Sequence, residues 1–315
     1  MKKSRIIFQV IVGVIIIAFI FYKIDMDEVI SILKKANPIY FIIACLSYLL
    51  LNITLAARLN YLLSRIGHRM KFLSVFFSHM GGMIAGDITP GRSGYFLTPS
   101  LLKKKTGTAR TDGLACIFAP QGLEFVLKVG GAIAALFYIS TRSSISHSLL
   151  ISIILGASVL LIGGILMLVI SWKNESRSLR FLSKIPYINK FTENLSSFKE
   201  RSIQIKESIN VILILYLIGW FFAGLQWFYL GKALGIELSF FAFFLLHPLI
   251  TILMFIPVSP AGIGLMEGGA ILVFSLFGIL PATAMAFSVL VRVSILLIDL
   301  IGLKSVLSSL GDLKL

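Results

Sequence analysis

Charge is what this 315-residue chain has least of. Charged residues of both signs make up 14% of it and only 14 residues are Asp or Glu, whereas soluble domains carry roughly 25% charge. With 57% hydrophobic residues, it has too little polar surface to clothe a water-soluble fold. Cysteine is nearly absent too. Cys45 and Cys116 both sit in apolar stretches, so structural disulfides are not expected and the redox compartment stays unread. The four histidines, His68, His79, His147 and His247, lack metal-ligand spacing. No His/Cys cluster, serine nucleophile elbow or paired-carboxylate motif occurs. These gaps argue against an enzyme and call for no cofactor or metal. Residues 86–93, Gly-Asp-Ile-Thr-Pro-Gly-Arg-Ser, approach a phosphate-binding P-loop but put Arg92 where the lysine belongs. A P-loop also needs a preceding strand in a βαβ unit. Both flanks here are apolar helical sequence, so no nucleotide site is expected.

What the chain has instead is apolar runs long enough to cross a ~30 Å hydrocarbon core. Full spans are expected at about 5–22, 38–57, 113–139, 148–171, 208–230 and 281–303. The first follows Lys2, Lys3 and Arg5. No small-residue cleavage pattern follows Phe21, so it reads as a retained span and not as a signal peptide. The fold class is therefore an all-α polytopic membrane protein, placed in the cell membrane. A net charge of +15 would suit nucleic acid, but the basic residues lie in short loops between apolar runs, as the positive-inside rule arranges them. Membrane lipids are the expected partners.

Two further apolar regions, 72–102 and 240–279, are each interrupted near the middle. The interruptions read Thr-Pro-Gly-Arg-Ser-Gly at 89–94 and Ser-Pro-Ala-Gly-Ile-Gly at 259–264, copies of one pattern. Backbone that leaves a helix inside a bilayer persists only when buried in protein or lining a wet cavity. Paired breaks in corresponding halves point to a transporter's central site. Each region reads as a re-entrant helical hairpin, with turn residues Pro90, Gly91 and Gly94 in the first and Pro260, Gly262 and Gly264 in the second. Loops 58–71 (Arg58, Arg65, Arg69, Lys71), 103–110 (Lys103, Lys104, Lys105, Arg110) and 172–207 are strongly basic. Loop 23–37 offsets its lysines with Asp25, Asp27 and Glu28, and 231–239 holds one Lys and one Glu. If every basic loop is cytoplasmic, the first hairpin enters from inside and the second from outside, with both termini cytoplasmic. Each half, 1–140 and 141–315, then reads span, span, hairpin, span. An odd number of crossings inverts the second copy, giving an inverted-topology repeat. The 172–207 stretch reads as a solvated linker or a surface-lying amphipathic helix.

Ionisable residues at membrane depth need a partner or a function. Asp87 and Arg92 flank the first break, and Glu267 follows the second. Glu124 and Lys128 lie mid-span, and Arg292 centres the last span with Asp299 on its helical face. Arg92 and Arg292 are expected to hold a phosphate, because a guanidinium fork matches phosphate oxygens bidentately. The acids would keep the arginines paired when the site is empty, or couple movement to protons. Glu124 and Lys128, four residues apart, read equally well as a self-neutralising pair.

Residues 257–292 resemble the C-terminal signature of the flippase-like membrane family that includes the transmembrane region of lysylphosphatidylglycerol synthases. Pro260, Gly262, Gly264, Glu267, Gly278, Pro281 and Arg292 match its pattern. In the first half Pro90, Arg92, Gly94, Leu101, Leu102 and Gly107 resemble the family's Pro-x-Arg-x-Gly stretch. The chain departs where the family has Glu after the first motif's Gly, here Tyr95. It departs again where the family has Glu-Arg and then Asp, leaving Gln121 and Glu124 as partial stand-ins. The resemblance covers essentially the whole chain. It implies that a phospholipid, or a polyprenyl-phosphate-linked lipid, is moved between leaflets by a stand-alone membrane domain without the aminoacyl-transferring domain. The alternatives are a scaffold for a separately encoded transferase and a secondary transporter for a small solute. Homo-oligomerisation is left open.

Overall fold

Uninterrupted apolar sequence with no internal water to compete for its backbone has only helix available to it, and helix is what forms. The computed structural model describes residues 22, 24–141, 147–173, 195–256 and 259–310. The expected span at 5–22 falls almost wholly outside these residues, as does the middle of the 172–207 stretch. In chain order the helices are α1 (Met26–Lys34), α2 (Pro38–Arg65), α3 (Phe72–Asp87), α4 (Thr98–Thr106), α5 (Arg110–Ser140) and α6 (His147–Trp172). They continue as α7 (Leu195–Lys206), α8 (Ile209–Ala233), α9 (Phe240–Thr251), α10 (Leu265–Ser275), α11 (Pro281–Asp299) and α12 (Leu303–Leu310). Five stretches are long and apolar enough to cross a membrane: α2, α5, most of α6, α8, and α11 continued through α12. They correspond to the five expected spans within the described residues, so the protein is an all-α polytopic membrane protein.

Local chemistry sets several boundaries. Asn37 caps α2 by accepting the Ile39 N–H at 2.9 Å, with Pro38 at the first helical position. Gly107 ends α4 in the left-handed conformation, φ 74°, and its N–H returns to the Lys103 carbonyl. Where α5 crosses α6 the backbones nearly touch. A Cβ on Gly122 would lie 2.9 Å from the Gly164 carbonyl, and one on Gly164 would lie 2.8 Å from that of Gly122. Such small-residue contacts bring membrane helices close enough for dispersion to hold them. Behind this contact lies an aromatic core of Trp227, Phe243, Phe274 and Phe287, all buried. Outward-facing positions are apolar as well. On α2, Ile39, Ile42, Leu46, Leu50 and Ile53 form an exposed stripe at helical spacing, as a surface solvated by hydrocarbon requires.

Two expected boundaries need correction. Arg58 was assigned to a basic loop at 58–71, but α2 continues to Arg65 and buries Arg58 to 5% exposure. Similarly, Lys103, Lys104 and Lys105 close the last turn of α4 and are not loop residues.

The basic segments nevertheless gather at one end. Arg65 reaches Glu207 at 3.8 Å, Asp112 pairs with His68 at 2.6 Å and with Arg201 at 3.7 Å, and Lys105 donates to Ser305. At the other end the Asn37 N–H donates to the Ala233 carbonyl, bringing the loop before α2 against the end of α8. The part of the 172–207 stretch that is described forms α7, held to α6 by Trp172 donating to the Ser202 carbonyl and Lys199 donating to the Ile170 carbonyl.

Candidate functional site

Both interrupted regions fold as helix, break, helix. The first is α3, a turn and α4. Its entry and exit meet, because Thr108 donates to the Met70 sulfur at 3.7 Å. The second is α9, a turn and α10. Phe241 at its entry and Phe277 at its exit both pack on the Tyr138 ring, with centroids 6.2 Å away. Tyr138 lies near the end of α5, whereas the first hairpin opens beside its start. The two hairpins therefore open at opposite ends of α5, and their tips meet.

The tips match residue for residue. After Pro90 come two left-handed residues, Gly91 at φ 59° and Arg92 at φ 53°; after Pro260 come Ala261 at φ 45° and Gly262 at φ 65°. The Arg92 N–H returns to the Thr89 carbonyl as the Gly262 N–H returns to that of Ser259, and Ser93 with Pro90 repeats in Ile263 with Pro260. Pro90 and Pro260 pair antiparallel, closed by the Ala261 N–H donating to the Thr89 carbonyl at 3.2 Å. Each break thus supplies a partner for backbone that the other exposes, which is how non-helical chain is tolerated away from water. Gly94 permits the turn, since a Cβ there would lie 2.1 Å from the Ala85 carbonyl oxygen.

Beside the joined tips is a cavity of about 130 Å³, roomy enough for several waters or a phosphate-sized group. Arg58, Arg92, Glu124 and Lys128 line it, together with Gly91 and Gln121. Trp220, Trp227 and Phe255 supply apolar walls, and Tyr48, Tyr95, Tyr216 and His247 line it as well. Lys128 donates to Glu124 at 3.0 Å and lies 5.1 Å from the centre of the Phe255 ring, so this pair is self-neutralising while still facing the cavity. Arg92 is held from behind by Asp87 at 2.6 Å, with Asp299 at 3.8 Å. Arg58 differs: its Nη1 is buried and has no hydrogen-bond partner among the described residues.

Arg292 and Glu267, both expected at the substrate, are paired with each other in this structure. Both oxygens of Glu267 receive the Arg292 guanidinium, and one also takes the Gly264 N–H at 2.7 Å. Arg292 further donates to the carbonyls of Gly262 at 3.2 Å and Ala261 at 3.5 Å. The pair pins the second break to α11, and neither residue is among those lining the cavity. In this arrangement Arg92 lines the cavity while Arg292 is engaged by Glu267. Asp87 likewise stands behind Arg92 without reaching the cavity wall. Tyr95, which replaces the family's Glu, lines the cavity and bonds His79 Nδ1 at 3.1 Å, while His79 Nε2 meets Asn52 Oδ1 at 3.1 Å. Because the Asn52 amide nitrogen donates to the Tyr48 carbonyl, its oxygen accepts from Nε2, leaving Nδ1 to accept the Tyr95 hydroxyl.

The sequence reading missed Arg58, which sits in the wall on α2. A usable signal was present: Tyr48, Leu51, Leu55 and Arg58 fall at helical spacing on one face of a continuous apolar run, and all four line the cavity.

These features define a polytopic membrane protein with a buried, charged cavity where two broken helical hairpins meet. Residues 6–302 match the lysylphosphatidylglycerol synthase TM region family, and the chain belongs to that family. It is 26% identical over 213 residues to a UPF0104 membrane protein of Methanocaldococcus jannaschii, covering 67% of this chain and 87% of the relative. It is 23% identical over 316 residues to a UPF0104 membrane protein of Pyrococcus horikoshii, covering 93% and 92%. A third, from Methanothermobacter thermautotrophicus, is 25% identical over 231 residues, covering 68% and 67%. The family name supports a role connected with membrane lipids.

Proposed function

We propose that this protein moves lipids with an anionic phosphate-bearing head group, phospholipid or polyprenyl phosphate, between membrane leaflets. One observation carries the reading: Arg58 is buried on a cavity it shares with Arg92, and one of its donors has nothing to bind. An unmatched buried guanidinium is unfavourable for folding. Its natural complement is an anion with several acceptor oxygens. Arg92 presents a second guanidinium, and the aromatic walls suit the glycerol or isoprenoid carbons next to a phosphate. In this reading the hairpins are re-entrant halves of an inverted repeat. Their tips guide the head group past the membrane centre while the tails stay in lipid.

The test is reconstitution into phosphatidylcholine vesicles carrying a trace of fluorescent phosphatidylglycerol, with an impermeant quencher added outside. Purified protein should expose the inner-leaflet fluorophore to the quencher, and Arg58→Gln should slow this at equal incorporation. No acceleration over protein-free vesicles removes the translocation reading and favours a scaffold for a separate transferase. Flux of a tail-less phosphate ester in place of lipid favours a small-solute carrier.

A further inference from the structure

Behind Arg92, the carboxyl groups of Asp87 and Asp299 share one guanidinium nitrogen, and each keeps a buried oxygen that a proton could serve. Arg92 Nη2 approaches one oxygen of each, and the Tyr48 hydroxyl donates to the same Asp299 oxygen at 3.1 Å. The remaining two oxygens, Asp87 Oδ2 and Asp299 Oδ1, are buried without a donor among the described residues. An ionised carboxylate only accepts, so one member of such a pair can donate only if it carries a proton. A single proton on the pair gives one of these carboxyls a donor. Among the described residues, the neighbouring groups offer no further donor. Tyr48 of α2 and Arg92 of the first break face the pair and are already engaged. On α3, His79 is bonded to Asn52 and Tyr95, and on α8 Gln226 donates to Ser294.

The charges around the cavity give this proton a role. Arg58, Arg92 and Lys128 face or adjoin three carboxyl groups, those of Glu124, Asp87 and Asp299. With all six ionised the empty site is neutral. A singly charged anion tips it negative, and a proton on the aspartate pair restores balance. Unbalanced charge is costly where water is scarce, so anion and proton each favour the other's binding, reciprocally. We propose that Asp87 and Asp299 form a proton-binding site that fills together with the anionic head group, making lipid movement proton-coupled. The proton comes from water on the side where the head group enters and returns to water where it leaves; no other bond is made or broken. This rests on the head-group reading above, and the test separates the two.

Protein in phosphatidylcholine nanodiscs is titrated calorimetrically with dioctanoyl phosphatidylglycerol, in two buffers of equal pH but different ionisation enthalpy. The difference in heat counts the protons bound. About one proton taken up per lipid is expected, with affinity falling up to about tenfold per pH unit on the alkaline side. Asp299→Asn supplies the missing donor as an amide, so it should bind lipid without proton uptake and without the pH dependence. Asp87→Asn should do the same and keeps the test valid if Asp299→Asn misfolds. Lipid binding by the unaltered protein with no proton uptake overturns the coupling but leaves the head-group site standing. No lipid binding at all overturns both. Uptake that survives both Asn variants but vanishes in His247→Gln places the proton on His247 and overturns the aspartate assignment. Inorganic phosphate binding as tightly as the lipid, with the same uptake, keeps the proton site but transfers it to a soluble anion.

Discussion

Arg58→Met should make the protein more stable and less active. The side chain is 5% exposed, and its Nη1 is buried with no partner. Leaving a buried donor unpaired costs about 1–3 kcal/mol, and replacing buried charge with apolar side chain of similar length is often neutral or stabilising. In acid, where a proton on the aspartate pair can offset the lost cation, the empty protein should therefore gain about 1–3 kcal/mol against unfolding, read as a higher thermal midpoint in nanodiscs. Function should move the other way. A charge-assisted contact to an anion is worth about 1.5–3 kcal/mol, so lipid affinity should fall roughly ten- to a hundredfold. Arg58→Lys should recover part of the affinity, because it restores charge without the fork. Removing this cation leaves the three carboxyl groups around the cavity in excess, and the aspartate pair can answer by holding a proton. The stability gain should then be larger in acid than in alkali, since protonation is what rebalances the variant. Reduced stability in Arg58→Met would mean that Arg58 holds the fold together. Unchanged lipid translocation would mean that its free donor meets no substrate. Either result defeats the assignment.

Arg292→Ala leaves Glu267 buried without its cation, which should cost about 3–5 kcal/mol in stability; Glu267→Gln in the same background should return part of it, and a fully stable single variant would contradict the pinning role. Ala261 holds a left-handed φ of 45° that glycine adopts freely, so Ala261→Gly should raise stability by about 1 kcal/mol, and a loss on thermal unfolding would show that the turn is unstrained. Gly94→Ala places a methyl 2.1 Å from the Ala85 carbonyl oxygen and should destabilise by about 1–3 kcal/mol while parting the tips, seen as lost crosslinking between cysteines introduced at Pro90 and Pro260, which pair across the tips. With Cys45 and Cys116 replaced, single cysteines at Asp25 and Lys232 should react with an impermeant maleimide added to intact cells and one at Lys206 should not; labelling of Lys206 from outside would reverse the orientation.

What the sequence revealed and what it hid divide along a physical line. The five described spans were legible because hydrocarbon solvation demands long apolar runs, and the breaks were legible because Pro and Gly are costly in such runs. The two breaks read as copies, and their matched left-handed pairs at 91–92 and 261–262 show that the likeness extends to backbone conformation. Partner choice was not legible. Arg292 and Arg92 look alike in sequence, each a lone cation in apolar surroundings. Yet Glu267, 25 residues before Arg292 and on another helix, takes up the guanidinium of Arg292, whereas Arg92 keeps a face on the cavity. Arg58 was hidden for the opposite reason: its neighbours Arg65, Arg69 and Lys71 made it look like one more loop cation. Burial separates these cases, and burial follows from where α2 stops, a boundary that charge alone cannot set. The residue with the strongest claim on a ligand is accordingly the one whose buried donor the fold leaves unpartnered on the cavity, Arg58.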